Sequence, residues 1–233
     1  MRILRKMISK YQNIVDCYSR GSKLRLHKML DLCTSLHDYV YGIEIKQNGN
    51  NVTCCVPACD QDCFERRLNI SKHQRRINGS ILQGFEKKMR TLNLIQPFKD
   101  FDAFFEYVAQ NSGLKNGHCL LVYDICLRMG HHMNPQLEPK HYVYLFQGAR
   151  EGAAYILGAI PSGVYKLPTA LFQHILGNHL SSMEIENLLC VCKLHLKPLG
   201  VLSSADIQSL YCQYGVSNVS KRRRTNKEIC KCK

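Results

Sequence analysis

Gly117-His118-Cys119-Leu120-Leu121-Val122-Tyr123-Asp124-Ile125-Cys126-Leu127-Arg128-Met129 is the stretch on which the fold turns. Cys119, Leu120, Leu121, Val122, Ile125, Cys126 and Leu127 make it apolar on two faces, which predicts a helix buried at the centre of a helical protein. Its charged residues, Asp124 and Arg128, are four apart and can pair on one helix face. Inside an apolar helix they must be satisfied by each other or by backbone, such as a turn at Gly148. They read first as a structural polar pair and second as a possible site.

Helical patterning continues in both directions. Residues 100–110 hold the aromatic cluster Phe101, Phe104, Phe105 and Tyr107, most simply core. Residues 74–94 carry the stripe Ile77, Ile81, Phe85, Met89 and Leu92, weakened by Gly79 and Gly84. At the N-terminus, Ile3, Leu4, Met7, Ile8, Tyr11, Ile14, Val15 and Tyr18 recur at three-to-four spacing up to Gly21. A second helix is predicted to residue 41, packed on the first as a helical hairpin. Beyond the central helix, residues 149–157 and 168–176 read as short helices. Ser181 and Glu184 have capping-box spacing and open a helix to residue 196. Ser203 opens a last one to residue 214.

Strand signals are few. Ile43-Glu44-Ile45-Lys46 and Val52-Thr53-Cys54-Cys55-Val56 flank Asn48-Gly49, which predicts a hairpin. Pro57 is placed to open a helix to residue 68. Tyr142-Val143-Tyr144-Leu145-Phe146 is a second strand candidate. The expected fold is therefore mainly α: a multi-helix globular domain with one small β-hairpin and a basic disordered C-terminal tail. Residues 1–41 form an N-terminal helical hairpin, 42–216 the main helical domain with the β-hairpin near 43–56, and 217–233 the tail.

Charge is the exceptional bulk property. The 233 residues carry a net charge of +14. Residues 1–30, 61–100 and 191–233 contribute +7, +5 and +7, against −3 and −2 for residues 31–60 and 101–190. Three basic blocks around a near-neutral centre favour nucleic acid or another polyanion as partner. No apolar run approaches the roughly 20 residues that span a bilayer, so no membrane partner is expected. The N-terminus has no uninterrupted apolar core or small-residue cleavage site, which points to a cytoplasmic, intracellular protein without a signal peptide. Thirteen cysteines, an odd number spread along the chain, read as mostly reduced and buried.

The basic residues Arg66, Arg67, Lys72, Arg75, Arg76, Lys87, Lys88 and Arg90, with His73 among them, are the candidate nucleic-acid-binding surface. Clustered positive charge holds phosphates without regard to sequence, and arginine forks match phosphate oxygens. The competing reading is a solvated helix face. Lys221-Arg222-Arg223-Arg224 could be an electrostatic arm or an address signal.

Catalytic and metal signals are weak. Cys55, Cys59 and Cys63 recur every four residues, but the outer two lie about 12 Å apart along a helix axis, too far to share one ion. Cys190, Cys192 and His195 come closer to a ligand trio but sit in an amphipathic helix. His118 and Cys119 are adjacent and diverge on a helix, so they make no nucleophile–base pair. Ser112-Gly113-Leu114-Lys115-Asn116-Gly117-His118 lacks the glycine-apolar-glycine turn of a helix-hairpin-helix. No catalytic residue, metal or cofactor is assigned, and the oligomeric state is left open.

Tyr123-Asp124-Ile125-Cys126-Leu127-Arg128-Met129-Gly130, then Tyr142-Val143-Tyr144-Leu145-Phe146-Gln147-Gly148-Ala149, then Glu186-Asn187-Leu188-Leu189-Cys190 together resemble a pattern of uncharacterised bacterial helical proteins. The resemblance covers about the last half of the chain and implies that these segments form one unit. It carries no activity. The leading expectation is a non-enzymatic nucleic-acid-binding protein acting mainly through phosphate contacts. The alternative is a protein-interaction or accessory module with incidental positive charge, and the third is an enzyme acting on nucleic acid.

Overall fold

The computed structural model describes residues 2–47, 64–67, 77–94 and 96–216. The chain is mainly helical, as the apolar periodicity predicts. It opens with α1 (Arg2–Arg20) and α2 (Ser22–Leu32), which pack on one another. The second predicted helix is broken at residues 33–35. Ser35 caps a separate α3 (Leu36–Tyr41): its hydroxyl accepts from the Asp38 amide, and the Asp38 carboxylate accepts from Ser35 N. That reciprocal box outweighs the apolar stripe running across it.

The predicted hairpin has a different partner. β1 (Glu44–Gln47) pairs antiparallel with β2 (Phe64–Arg67), with Glu44 opposite Arg67 and Ile45 opposite Arg66. Residues 52–56, the expected second arm, lie outside the described residues, as does 57–63 of the helix expected from Pro57. The end of that helix is strand. Pairing with β1 takes Phe64–Arg67 into an antiparallel ladder, which satisfies their backbone groups in place of helical bonds.

α4 (Gly79–Met89), α5 (Phe101–Asn111) and the central α6 (Leu120–His131) follow, each near its predicted position. β3 (Tyr142–Tyr144) pairs antiparallel with β4 (Lys166–Pro168), a partner not read from the sequence. α7 (Gln147–Leu157), α8 (Thr169–Leu176), α9 (Ser182–Val191), α10 (Lys193–Leu196) and α11 (Ser204–Gln213) complete the described chain. Ser181 and Glu184 make the predicted capping box of α9, and Ser203 caps α11 through the Asp206 amide. No described helix is long and apolar enough to cross a membrane. Residues 217–233, the expected tail, lie outside the described residues.

Two large apolar clusters form most of the described core, beside a small one at Cys33 and Ile43, and β3 and the residues after it separate the two large ones by period-two alternation. Val143 and Leu145 enter one cluster with Tyr11, Val15 and Tyr18 of α1 and the buried faces of α7, α8 and α9. Tyr144 and Phe146 enter the other with Leu26 and Leu30 of α2 and the inner faces of α4, α5 and α6. α9 lies along the same partition, sending Met183 to the second cluster and Ile185, Leu188 and Leu189 to the first. α2 is tied to α9 by Lys23 and His27, which reach Glu184 Oε1 at 3.1 and 2.8 Å.

The phenol of Tyr123 is fully buried in α6 with no hydrogen-bond partner among the described residues. An unsatisfied buried hydroxyl carries its desolvation cost without return. Tyr123→Phe is therefore expected to raise stability by about 1 kcal/mol, read as a later urea midpoint at unchanged slope. A loss of stability would show that the hydroxyl has a partner in solution.

Candidate functional site

α7 and α9 touch almost backbone to backbone. A Cβ on Gly152 would lie 2.0 Å from the Leu189 carbonyl oxygen, and one on Gly148 would lie 2.6 Å from Cys190 Sγ. Two glycines one turn apart thus let the helices close, and this lays the Glu186–Cys190 side of α9 beside the first turn of α7. The N-terminal end of α6 and Ile81 of α4 complete the walls. Between them opens a cavity of about 860 Å³.

Ile77, Ile81, Leu114, Leu120, Leu121 and Phe146 make its walls largely apolar. Its polar groups are Asp124 of α6, Glu186 of α9, Lys193 of α10, Gln147 and Glu151 of α7, and the Lys115-Asn116 loop. Asp124, Phe146, Gln147, Gly148, Glu186 and Cys190 come from the three sequence segments that resemble one pattern, and they meet at this one cavity.

Glu186 is the unusual group. It is 8 % exposed, lines the cavity and makes no hydrogen bond among the described residues. Burial, reinforced by the nearby Asp124, pushes its carboxyl well above the usual range, which favours the protonated form. A protonated carboxyl has an O–H donor beside a C=O acceptor. Asp124 faces it while also meeting Arg128 Nη2 at 3.5 Å. Arg128 is 3 % exposed and donates from Nη1 to the Tyr39 carbonyl at 2.8 Å. The polar pair read from the sequence is therefore present, but its backbone partner is Tyr39 rather than the Gly148 turn. Arg128 supports the cavity from below and Asp124 belongs to its lining.

Burial raises the Cys190 thiol to about 12, aided by Glu186 and Asp124, and burial also raises Cys119. Both stay thiols near neutrality, so neither is an activated nucleophile. Cys192 turns into the apolar core and away from Cys190, which separates the two cysteines of the sequence trio. At the lip, Gln147 holds φ +33°, a strained value for a residue with a Cβ. Phe146 before it has no side chain able to cap α7, so the first amides of that helix are uncapped by a side chain at the cavity.

The predicted basic residues fall in different places. Lys87, Lys88 and Arg90 are exposed at the C-terminal end of α4, where they complement the helix dipole. Arg90 is engaged by Glu86 at 2.6 Å. Lys88 is two turns beyond Ile81 and shares its helix face, so it stands in line with the cavity wall about 10 Å along the axis. Arg66 and Arg67 are in β2; Lys72, Arg75 and Arg76 lie outside the described residues.

Lys115 and Glu186 were not read as site residues. Glu186 had one signal: Met183, Glu186, Cys190 and Lys193 fall on one helix line, where a carboxyl follows buried Met183.

By fold and site this is a mainly helical protein with a ligand-sized cavity at the meeting of two helix N-termini and a carboxyl-bearing helix. Compared with protein families, curated proteins and solved structures, the chain matches none.

Proposed function

We propose that this protein binds nucleic acid, non-enzymatically and mainly through phosphate contacts. The observation that carries this reading is the position of positive charge around a concave site. α4 contributes Ile81 to the cavity wall and carries exposed Lys87 and Lys88 further along, while exposed Lys115 lines the cavity and makes no ion pair among the described residues. With a net charge of +14, the chain attracts polyanions at long range, and these lysines give a strand somewhere to settle.

The test is a fluorescence-anisotropy titration with single- and double-stranded DNA and RNA at several salt concentrations. Binding is expected to weaken steeply with salt, because each neutralised phosphate releases a counterion. The combined variant Lys87→Glu, Lys88→Glu and Lys115→Glu is expected to weaken all sequences alike by roughly a hundredfold and to flatten the salt slope. Absence of binding at low salt would overturn the reading and leave a protein partner as the alternative.

Asp124 and Glu186 favour a second reading, an enzyme acting on nucleic acid. A protonated carboxyl facing another carboxyl is an arrangement that general acid–base chemistry uses. Cleavage or base release from a labelled strand, lost in Glu186→Gln, would favour it; an unaltered strand would leave binding.

A further inference from the structure

We propose that the cavity receives one unpaired base of a bound strand, its edge hydrogen-bonded by the Glu186 carboxyl. This rests on the nucleic-acid reading above and adds the part of the ligand that the cavity recognises.

The argument begins with Glu186. A glutamate more than nine-tenths buried, without a hydrogen-bond partner among the described residues and lining a cavity, is costly unless something pairs with its carboxyl. Burial and Asp124 favour its protonated form, which offers a donor and an acceptor side by side. Base edges carry the complement, a ring N–H or amino group beside a carbonyl or ring nitrogen. A lone cation would instead demand an ionised Glu186, and an anion would find Asp124 and Glu186 at its contact surface.

The rest of the lining suits a flat heterocycle. Apolar side chains dominate the walls, and Phe146 supplies an aromatic ring that stands parallel to Tyr165 behind it, at 8°. Stacking of this kind tolerates any base. A volume of about 860 Å³ holds a nucleotide but not a duplex, so the base must be unpaired or turned out of its helix. The adjoining phosphate would meet Lys115 and the uncapped amides at the start of α7, an 11-residue helix. From there Lys88 continues the positive track along α4.

The experiment compares labelled single strands of mixed sequence with abasic strands of equal length, which keep every phosphate and lack every base. The wild-type protein is expected to bind the intact strand about tenfold more tightly than the abasic one, the order expected for one stacked and hydrogen-bonded base. Glu186→Leu is expected to bring the intact strand to the abasic level without changing abasic affinity. Glu186→Gln keeps a donor and an acceptor and is expected to keep the preference. Equal binding of intact and abasic strands by the wild type overturns the base pocket and leaves phosphate binding standing, and this comparison needs no variant. No binding of either strand overturns both readings. Nucleoside monophosphates binding as tightly as the intact strand would make the occupant a free nucleotide and overturn the strand proposal.

Discussion

Gly152→Ala is expected to cost about 3 kcal/mol or more, at or above the upper end of what overpacked cores lose. The added Cβ would stand 2.0 Å from the Leu189 carbonyl oxygen, 2.7 Å from its carbon and 3.0 Å from its Cα. All three are backbone atoms, so no rotamer change relieves the contact. α7 must move away from α9, and this opens the seam where Ala149, Ala153 and Ile156 pack with Ile185, Leu188 and Leu189. Against a typical total stability of about 5–15 kcal/mol, that loss is a large fraction. Gly84→Ala is the matched control. Gly84 is exposed in the middle of α4, and its Cβ would meet nothing within 4 Å. There alanine is expected to add about 0.5–1 kcal/mol through helix propensity. Urea denaturation followed by circular dichroism separates the two cases. Similar small effects at both positions would mean that α7 and α9 are not in backbone contact.

The same two glycines show where the sequence was legible and where it was not. Gly84 reads as a weak point in a helix from the sequence alone, because propensity is local. Gly148 and Gly152 lie one turn apart in Gln147-Gly148-Ala149-Arg150-Glu151-Gly152-Ala153-Ala154, and the stretch reads as a short helix whatever that helix touches. Close approach depends on the partner, and α9 is some 35 residues away in sequence. The helices themselves were legible because apolar periodicity needs no knowledge of the partner: α1, α5, α6, α8 and the start of α9 all fall near their expected positions. The box at Ser35 and Asp38 was visible as spacing, yet Leu26, Met29, Leu30, Cys33, Leu36 and Val40, which fall on one face of a single continuous helix, hid the break. β2 was missed because strand pairing is decided by whichever segment meets β1. β3 could be read as a strand, but its partner β4 is too short to announce itself.

The candidate site was legible only in fragments. Asp124 and Arg128 stood out because charge in an apolar helix is anomalous. Glu186 did not, since a glutamate in an amphipathic helix usually faces water. Its burial follows from α7 lying against α9, the contact that the glycines make possible. The basic cluster was conspicuous in composition, but composition cannot separate exposed Lys88, in line with the cavity, from Arg90, engaged by its own helix through Glu86.

Stability of the wild-type protein is expected to fall as pH rises above about 4.3, and Glu186→Gln is expected to remove the part of that fall due to Glu186. The sign follows from where the proton is held. Burial first, then Asp124, raises the folded carboxyl well above its unfolded value. Above about pH 4.3 the unfolded chain gives up this proton while the folded chain keeps it, so folding becomes linked to proton uptake. The full contribution is present below the unfolded value and is lost toward the folded one, with a slope of up to about 1.4 kcal/mol per pH unit. Glutamine keeps the shape and cannot ionise, so the variant should gain on the wild type as pH rises. Other groups do not imitate this difference. Glu184, held down to about 2 against its own burial by His27, the Ser181 amide and Lys23, loses its contribution as pH falls from about 4.3 toward 2, below the Glu186 window. His27, raised chiefly by its bond to Glu184, weakens the fold as pH rises from about 6.5, but equally in both proteins. Tyr18 of α1, Tyr123 of α6 and Cys190 of α9, which face Glu186, are all raised and titrate at still higher pH. Urea unfolding of both proteins between pH 5 and 8 reads the difference directly. A constant difference would mean that Glu186 is already ionised in the folded state, and the cavity would then lack the O–H donor on which recognition of a base edge depends.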